Sequence, residues 1–495
     1  MSNGRPARTY LAFDLGAESG RAFVGSLHGG RIDLREILRF PNEPVEYGGR
    51  PHWDAARLWH EMRSALCALE TPELAGIGVD AWGVDYALLG ENGELLQNPR
   101  HYRDPRNVSA MDEVLHLVPR EEIYRTTGIQ FMPINTLNQL FSASRETPRL
   151  LAAADRLVMI PDLFHYWMTG NAVCEFTAAT TTQLVDARTR NWAGDLMARL
   201  GLRPDLPGPI VEPGSVVGEL RPGLARASSL TGTPVITPAS HDTASAVSAV
   251  TARDDTAFLS SGTWSLLGIE LDAPIVSDDA LRLNFTNEGG VGGTTRFLKN
   301  VMGLWILQGC RRSLAASGRE YSYADMTEAA AKAPAFRHLV DPDDVSFLNP
   351  DNMLAAIDRF CIKCDQPPPG NPGAYARAVL ESLALKYRLV IRNLETLIGR
   401  RISQIRVIGG GSRNQMLNQF TADATGRRVL AGPVEAAVLG NIGVQMIATG
   451  NARSLAEARA IIDRSFHTEI FEPSGAGSWD RAAERFHQYC ELTYA

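Results

Sequence analysis

Two stretches far apart in the chain are built alike. Leu11 to Arg21 (LAFDLGAESGR) is an apolar run that ends in Asp14, turns between Gly16 and Gly20, and resumes as a β-rich run through Leu27. Ala257 to Gly268 (AFLSSGTWSLLG) repeats the design with a Ser-Gly-Thr turn. Glycines at the mouth of a hairpin let several backbone N–H groups turn toward one anion. Asp14 ends its strand where a carboxylate could hold a hydrated Mg²⁺ against the same phosphates. Alone, the first stretch reads equally well as an ordinary glycine-containing hairpin. Repetition shifts the balance toward an internal duplication, with two phosphate loops serving one triphosphate across a cleft. The chain has 495 residues, enough for two domains. The break is expected at about Val247 to Asp255, dividing the chain into residues 1–248 and 249–495.

Composition excludes several partners. The net charge is -7, and the 49 basic residues, all but four of them arginine, are scattered along the whole length. Nucleic acid and acidic membranes are therefore poor candidates. Cys361 and Cys364 form a lone CxxC with no partner pair at zinc-site spacing, and read as plain thiols. The N-terminal MSNGRPART has no apolar signal segment, and no run of 18 apolar residues occurs. A cytoplasmic enzyme is the expectation.

Along the chain, Ile32 to Phe40 reads as a strand, and Asp54 caps a helix with the stripe Leu58, Met62, Ala65, Leu66 and Leu69. A buried strand, Ile77 to Val79, ends in DAWGVD. There Trp82 could stack on a sugar, Gly83 could admit backbone, and Asp85 could accept hydroxyl hydrogen bonds. Asp-Trp-Gly at a strand end is more often structural. HYRDPRN, His101 to Asn107, reads as a solvated turn or a substrate loop. Helices are expected at Asn135 to Ser144 and Asp162 to Met168, and irregular chain over the Pro- and Gly-rich Arg203 to Pro222. In TPASHDTASAV, the Pro234 to Ile236 strand meets a helix from Thr243. Asp242 at that junction is either a fixed carboxylate in a cleft or a simple helix cap. Leu298 to Arg312 reads as a helix, and Ala376 to Leu397 is the clearest helix of all. The Gln404 to Ile408 strand runs through GGGSRN into another helix, so backbone can meet a flat or charged ligand there. Ala437 to Ala448 is a small-residue helix suited to close packing. No element is legible beyond Phe471.

There is no GxxxxGK[ST], and none of the glycine-rich loops holds a lysine, so a P-loop is excluded. The GGG loop is not GxGxxG, which argues against a dinucleotide site. What remains resembles the actin-like ATPase fold, and within it the FGGY carbohydrate kinases. DLGAESGR, DAWGVD, HYRDPR, ASHDTASAV, LSSGTWSLLG, NEGG, LKNVMGLW, IGGGSRN and GPVEAAVLGNIG carry that resemblance over nearly the whole chain. It implies an α/β fold of two duplicated, ribonuclease H-like domains with an interdomain catalytic cleft. Sugar and the first hairpin would belong to residues 1–248, the second hairpin and adenosine to 249–495. It further implies ATP as co-substrate, Mg²⁺ as cofactor and Asp242 as general base. Ala17, Glu18, Ser19, Gly20, Arg21, Thr263, Gln308 and Gly410 would line the ATP site. Gly83, His241, Asp242, Thr243 and Asn300 would contact the sugar, and Asp14 would hold the metal through water. Glu18 would repel a triphosphate unless it points to solvent, which is the expectation. The acceptor implied is the 1-hydroxyl of L-rhamnulose, with L-fuculose or another L-ketose as an alternative. A catalytically silent sugar or nucleotide sensor is a second alternative, against which an intact Asp242 argues.

Overall fold

The computed structural model describes residues 8–69, 73–224 and 230–494. Residues 1–7 of the N-terminal stretch discussed above lie outside them. The chain forms two compact units that interleave in sequence. The first takes the chain up to Thr251, Glu270–Phe297 and Glu435–His467; the second takes Ala252–Ile269, Leu298–Val434 and the chain from Thr468.

In the first unit, β1 (Arg8–Leu15), β2 (Ser19–His28), β3 (Arg31–Pro41), β4 (Gly76–Ala81), β5 (Val216–Glu219) and β6 (Pro234–Ile236) form one sheet in the order β5-β6-β4-β1-β2-β3. β1, β2 and β3 pair antiparallel in succession, β4 lies parallel to β1, β6 parallel to β4, and β5 antiparallel to β6. From Leu11 to Leu15 every β1 residue is buried, as is all of β4. That explains their unbroken apolar runs, since a central parallel strand is covered on both faces. The Ala55–Cys67 helix begins where the Asp54 carboxylate accepts from the Arg57 N–H at 3.1 Å, and its expected stripe is buried.

The second sheet has seven strands: β7 (Thr256–Ser261), β8 (Trp264–Leu271), β9 (Thr295–Met302), β10 (Gln404–Ile408), β11 (Arg428–Ala431) and β12 (Glu469–Phe471) follow the order β9-β8-β7-β10-β11-β12, and the short Thr286–Gly289 strand pairs beyond β9 at the edge. β7 and β8 are antiparallel, β10 is parallel to β7, β11 to β10, and β12 is antiparallel to β11. Apart from that seventh strand, the two sheets share one plan: a hairpin, a third strand beyond it, two parallel strands on the other side and an antiparallel edge. The long Pro372–Ile398 helix starts at Asn371, whose side chain accepts from the Ala374 N–H at 3.0 Å, and stops at left-handed Gly399.

Three expectations are corrected. Leu298 to Arg312 is not one helix but β9 followed by the Trp305–Ala316 helix. A fully buried strand has no period to separate it from a helix, and the break falls at Gly303, where a Cβ would stand 2.8 Å from the Gly262 carbonyl oxygen. Arg203 to Pro222 is not wholly irregular, since it holds Ile210–Val211 and the edge strand β5. Beyond Phe471 the chain forms the Ala476–Tyr494 helix, whose Trp479, Ala482, Phe486 and Cys490 are buried against Leu339, Ala384, Leu385 and Ala424.

Candidate active site

The first hairpin is closed by the Gly16 N–H donating to the Ser19 carbonyl at 3.0 Å. Asn42 braces it from outside, its side chain donating to the Gly16 carbonyl at 2.8 Å and its N–H to that of Glu18 at 3.0 Å. Gly20 is required because a Cβ there would stand 2.1 Å from the Phe40 ring. Ala17 and Ser19 are half-buried, while Glu18 is exposed to solvent, as expected. Asp14 and Arg21 face each other in register, and the Arg21 guanidinium forms ion pairs with both Asp14 and Glu435. Sequence reasoning singled out neither Asn42 nor Glu435. Glu435 stood inside the quoted GPVEAAVLGNIG stretch, but its partner lies 414 positions away.

The carboxyl ends of the parallel strands collect the other first-unit residues, the usual ligand position in α/β sheets. The Ala81 N–H donates to the Ser240 carbonyl at 2.9 Å and the Trp82 N–H to that of Leu15 at 3.2 Å, so Asp14, Gly83 and His241 to Thr243 come together. Asp80 lies beside Asp14 in register and is fully buried. Burial and the Asp14 charge push its carboxyl up, although Asn441 donates to it at 2.6 Å. Gly83 packs on Thr181, and Val84, a β-branched residue, is held at φ 67°. Such a conformation costs on the order of 1–3 kcal/mol and marks functional turns. It is held by the Val84 N–H donating to Thr181 Oγ1 at 2.9 Å and by Gln139 Nε2 donating to the Val84 carbonyl at 3.2 Å.

Asp85 departs from expectation. It is fully buried, and accepts from Trp53 at 2.5 Å, Trp82 at 3.0 Å and Gln139 at 2.9 Å. Burial pushes it up to about 7 against those donors, so it is an internal bracket rather than an acceptor for sugar hydroxyls. Trp82 is committed in the same way, its ring 4.2 Å from that of Trp53 and only 5% of its surface exposed.

Asp242 is the first residue of the Asp242–Ser248 helix, and 30% of its side chain is exposed. Its Oδ1 accepts from the Thr243 N–H at 2.5 Å and the Thr243 hydroxyl at 3.1 Å, and lies 3.4 Å from His241 Nε2. Burial raises its pKa and the Asp14 charge adds to this, while His241 and Thr243 lower it. The turn is held by backbone bonds that the sequence did not reveal. Glu175 accepts from the Ser240 N–H at 2.9 Å, and Thr177 Oγ1 from the His241 N–H at 3.1 Å. Behind the helix, the Ala436–Ala448 helix packs without a side chain between them, since a Cβ at Gly440 would stand 1.7 Å from the Ser245 carbonyl oxygen.

The second unit arranges its own residues around the second hairpin. The Thr263 carbonyl accepts from the N–H groups of Gly303 at 3.2 Å and Trp305 at 3.1 Å, which brings the start of the Gln308-bearing helix to the turn. Gly411 fits against Ser261 only because it lacks a Cβ, which would lie 2.0 Å from Ser261 Oγ, and so places exposed Gly410 beside the hairpin. Asn300, expected with Gly83 and His241 on the sugar, is half-buried on β9 in this second unit.

The first unit holds a partly exposed carboxylate at a strand-end turn, and each unit holds a glycine-containing hairpin, parts of the kind that phosphoryl transfer uses. Known proteins agree. The N-terminal domain of the FGGY family of carbohydrate kinases matches residues 9–248, and its C-terminal domain matches residues 257–449. The rhamnulokinase of Bacteroides thetaiotaomicron is 43% identical over 482 residues, covering 97% of this chain and 99% of that protein. That of Enterococcus faecalis is 43% identical, covering 94% of each. Gluconate kinase from Lactobacillus acidophilus, at 17% identity, shares the fold with a TM-score of 0.80 over 98% of this chain and 97% of that one. Xylulose kinase from Rhodospirillum rubrum, at 21% identity, does so with a TM-score of 0.77 over 98% and 99%. With a domain match on each half and such relatives along nearly the full length, the chain belongs to the FGGY family of carbohydrate kinases.

Proposed function

We propose that the chain transfers the γ-phosphoryl of ATP to the 1-hydroxyl of L-rhamnulose, giving L-rhamnulose 1-phosphate. The acceptor is supported by relatives named rhamnulokinase at 40–43% identity. The observation that carries the mechanism is the partly exposed Asp242 carboxylate, fixed by Thr243 at the ends of the parallel strands. In this reading Asp242 orients the acceptor hydroxyl and takes its proton as the bond to phosphorus forms. An ordinary ionised carboxylate suffices, because the transition state is loose and the proton moves late. Gly83, His241, Thr243 and Asn300 hold the sugar. The first hairpin, Ala17 to Arg21, and Thr263, Gln308 and Gly410 hold the nucleotide, so adenosine belongs to residues 249–495.

The donors fit a hydrated Mg²⁺ rather than a caged ion. Among the described residues no three His, Cys, Asp or Glu side chains cluster as ligands. Mg²⁺ commonly keeps several waters and uses one or two carboxylates beside phosphates. Asp14 would hold it through water, where it would neutralise charge on the β- and γ-oxygens. Among the described residues no helix is long and apolar enough to cross a membrane, and a cytoplasmic setting is part of this reading.

A methyl group in an apolar pocket discriminates by only about 1–3 kcal/mol, so preference among L-ketoses is the sharper question. Purified protein with MgATP is assayed for ADP release against L-rhamnulose, L-fuculose, L-xylulose, L-ribulose and glycerol. The highest kcat/KM is expected on L-rhamnulose. Preference for another ketose would discard the acceptor but keep the kinase, and no turnover on any would overturn the reading.

A further inference from the structure

The Asn287 to Gly290 stretch, NEGG, takes no part in the mechanism above, yet it lies against its central turn. Arg296, fully buried on β9, donates from Nε to the Gly289 carbonyl at 2.8 Å. Its Nη2 lies 3.1 Å from Glu288 Oε2 and in hydrogen-bond geometry 3.1 Å from His241 Nδ1. On the other side of the ring, His241 Nε2 stands 3.4 Å from Asp242 Oδ1. All five residues belong to the first unit.

Hydrogen-bond chemistry makes this arrangement directional. A guanidinium offers only N–H donors and stays protonated in proteins, so the imidazole nitrogen facing Arg296 has to present its lone pair. Glu288 does not reverse this assignment. Its oxygen is 3.4 Å from Nδ1, beyond ordinary hydrogen-bond range, and nearer to Arg296. The imidazole proton then sits on Nε2, the nitrogen that faces Asp242. At 3.4 Å the Asp242 oxygen too is beyond ordinary hydrogen-bond range, which leaves that N–H able to donate to a sugar oxygen.

We propose that Arg296 is a positioning residue that fixes the Nε2–H tautomer of His241, with Glu288 and the Gly289 carbonyl holding the guanidinium in place. The assignment separates two roles on adjacent residues. His241 donates and Asp242 accepts, so the sugar is gripped by a hydrogen while the acceptor hydroxyl meets a lone pair. Were the proton on Nδ1, Nε2 would also be an acceptor, and two acceptors would compete for one hydroxyl proton. The tautomer itself is independent of which reaction the chain performs. Its effect on turnover rests on the kinase reading above.

The test uses the full-length protein labelled with ¹⁵N-histidine, with His241→Asn supplying the assignment by difference. At neutral pH, His241 Nδ1 is expected to give a pyridine-type signal and Nε2 a pyrrole-type signal. A pyrrole-type Nδ1 overturns the proposal, and this readout needs neither substrate nor turnover. Arg296→Met and Arg296→Lys are then compared in turnover, with folding checked by thermal melting. Arg296→Met is expected to lower kcat by roughly 10- to 100-fold, the usual cost of removing an orienting partner, with the KM for ATP unchanged. Arg296→Lys, which keeps a cationic N–H donor, restores the Nε2–H signal and part of kcat. Should Arg296→Met fail to fold, Arg296→Lys and the wild-type spectrum still decide. An unchanged kcat in a folded Arg296→Met would overturn the positioning role, and a normal tautomer in a chain that turns over no sugar would fault the kinase reading alone.

Discussion

The two hairpins stand at matching places in sheets that share six strands of plan but are furnished differently. At the first, Asp14 is met by Arg21, which also holds Glu435, and Asp80 lies alongside in register. At the second, the turn keeps Ser261 buried and Thr263 half-buried, and the precision lies in backbone: Gly303 and Gly411 come so close to the hairpin that a Cβ would collide with it. One copy thus balances charge among its side chains, while the other is set by close backbone packing. Duplication supplies the frame, and the side chains at its turns divide the labour. A second set of carboxylates would add repulsion against a triphosphate without adding a proton acceptor.

The contrast is most severely tested at Asp242. Asp242→Asn is expected to cut kcat by about 10²- to 10⁴-fold, the usual contribution of a general base, without altering the melting curve much. Full activity in that variant breaks the assignment of chemistry to the first unit. Next comes the charge balance itself. Arg21→Met, which strands two carboxylates, should lower stability by about 1.5–3 kcal/mol in denaturant titration and raise the KM for ATP, whereas Thr263→Val should cost only about 0.5–1.5 kcal/mol of ATP affinity. Equal penalties would erase the distinction between a charged and a neutral hairpin. Backbone approach is checked by a neighbouring pair. Gly411→Ala is expected to destabilise by about 1–3 kcal/mol through overpacking on Ser261. Gly410→Ala, with nothing within 4 Å of the added Cβ, should leave the melting curve unchanged. The smallest effect is on pH dependence. Burial first and then the Asp14 charge raise the Asp242 pKa, so the base form is lost as pH falls through a value above the ordinary carboxylate range. In the residual activity of Asp14→Asn that acidic limb should move to lower pH, because one raising charge is gone. A limb that stays in place would uncouple the two carboxylates.

Much of this was legible in the residues. Asp54 announced a helix start, the apolar spacing from Ala376 to Leu397 announced the long helix, and the repeated hairpin announced the duplicated sheet. Local chemistry was readable because caps, turns and stripes act within a few residues of themselves. Long-range partners were not. Nothing near Glu435 declares that it will meet Arg21, nor does Glu175 declare that it will hold the Ser240 N–H. Asp85 misled because a carboxylate at a strand end reads as open to ligand, and only the indoles of Trp53 and Trp82 disclose that it is sealed. The C-terminal helix was hidden for a different reason. Its buried positions, 479, 482, 486 and 490, have helical spacing but are separated by many polar residues.

The return of Glu435–His467 to the first unit sets a condition on how the chain is made. The Ala436–Ala448 helix lies on the first sheet, where Gln445 donates to the Leu11 carbonyl at 3.1 Å, Thr449 meets the Tyr10 hydroxyl at 2.8 Å, and Ile442 fills the space left by Gly25. During synthesis, β1 and β4 leave the ribosome hundreds of residues before this cover does. The nascent sheet must wait with an apolar face uncovered, a state prone to aggregation until the last segments arrive. A fragment ending at residue 248 would keep Asp14 and Asp242 and still lack their cover, so the unit that holds both carboxylates is completed only when Glu435–His467 has been made.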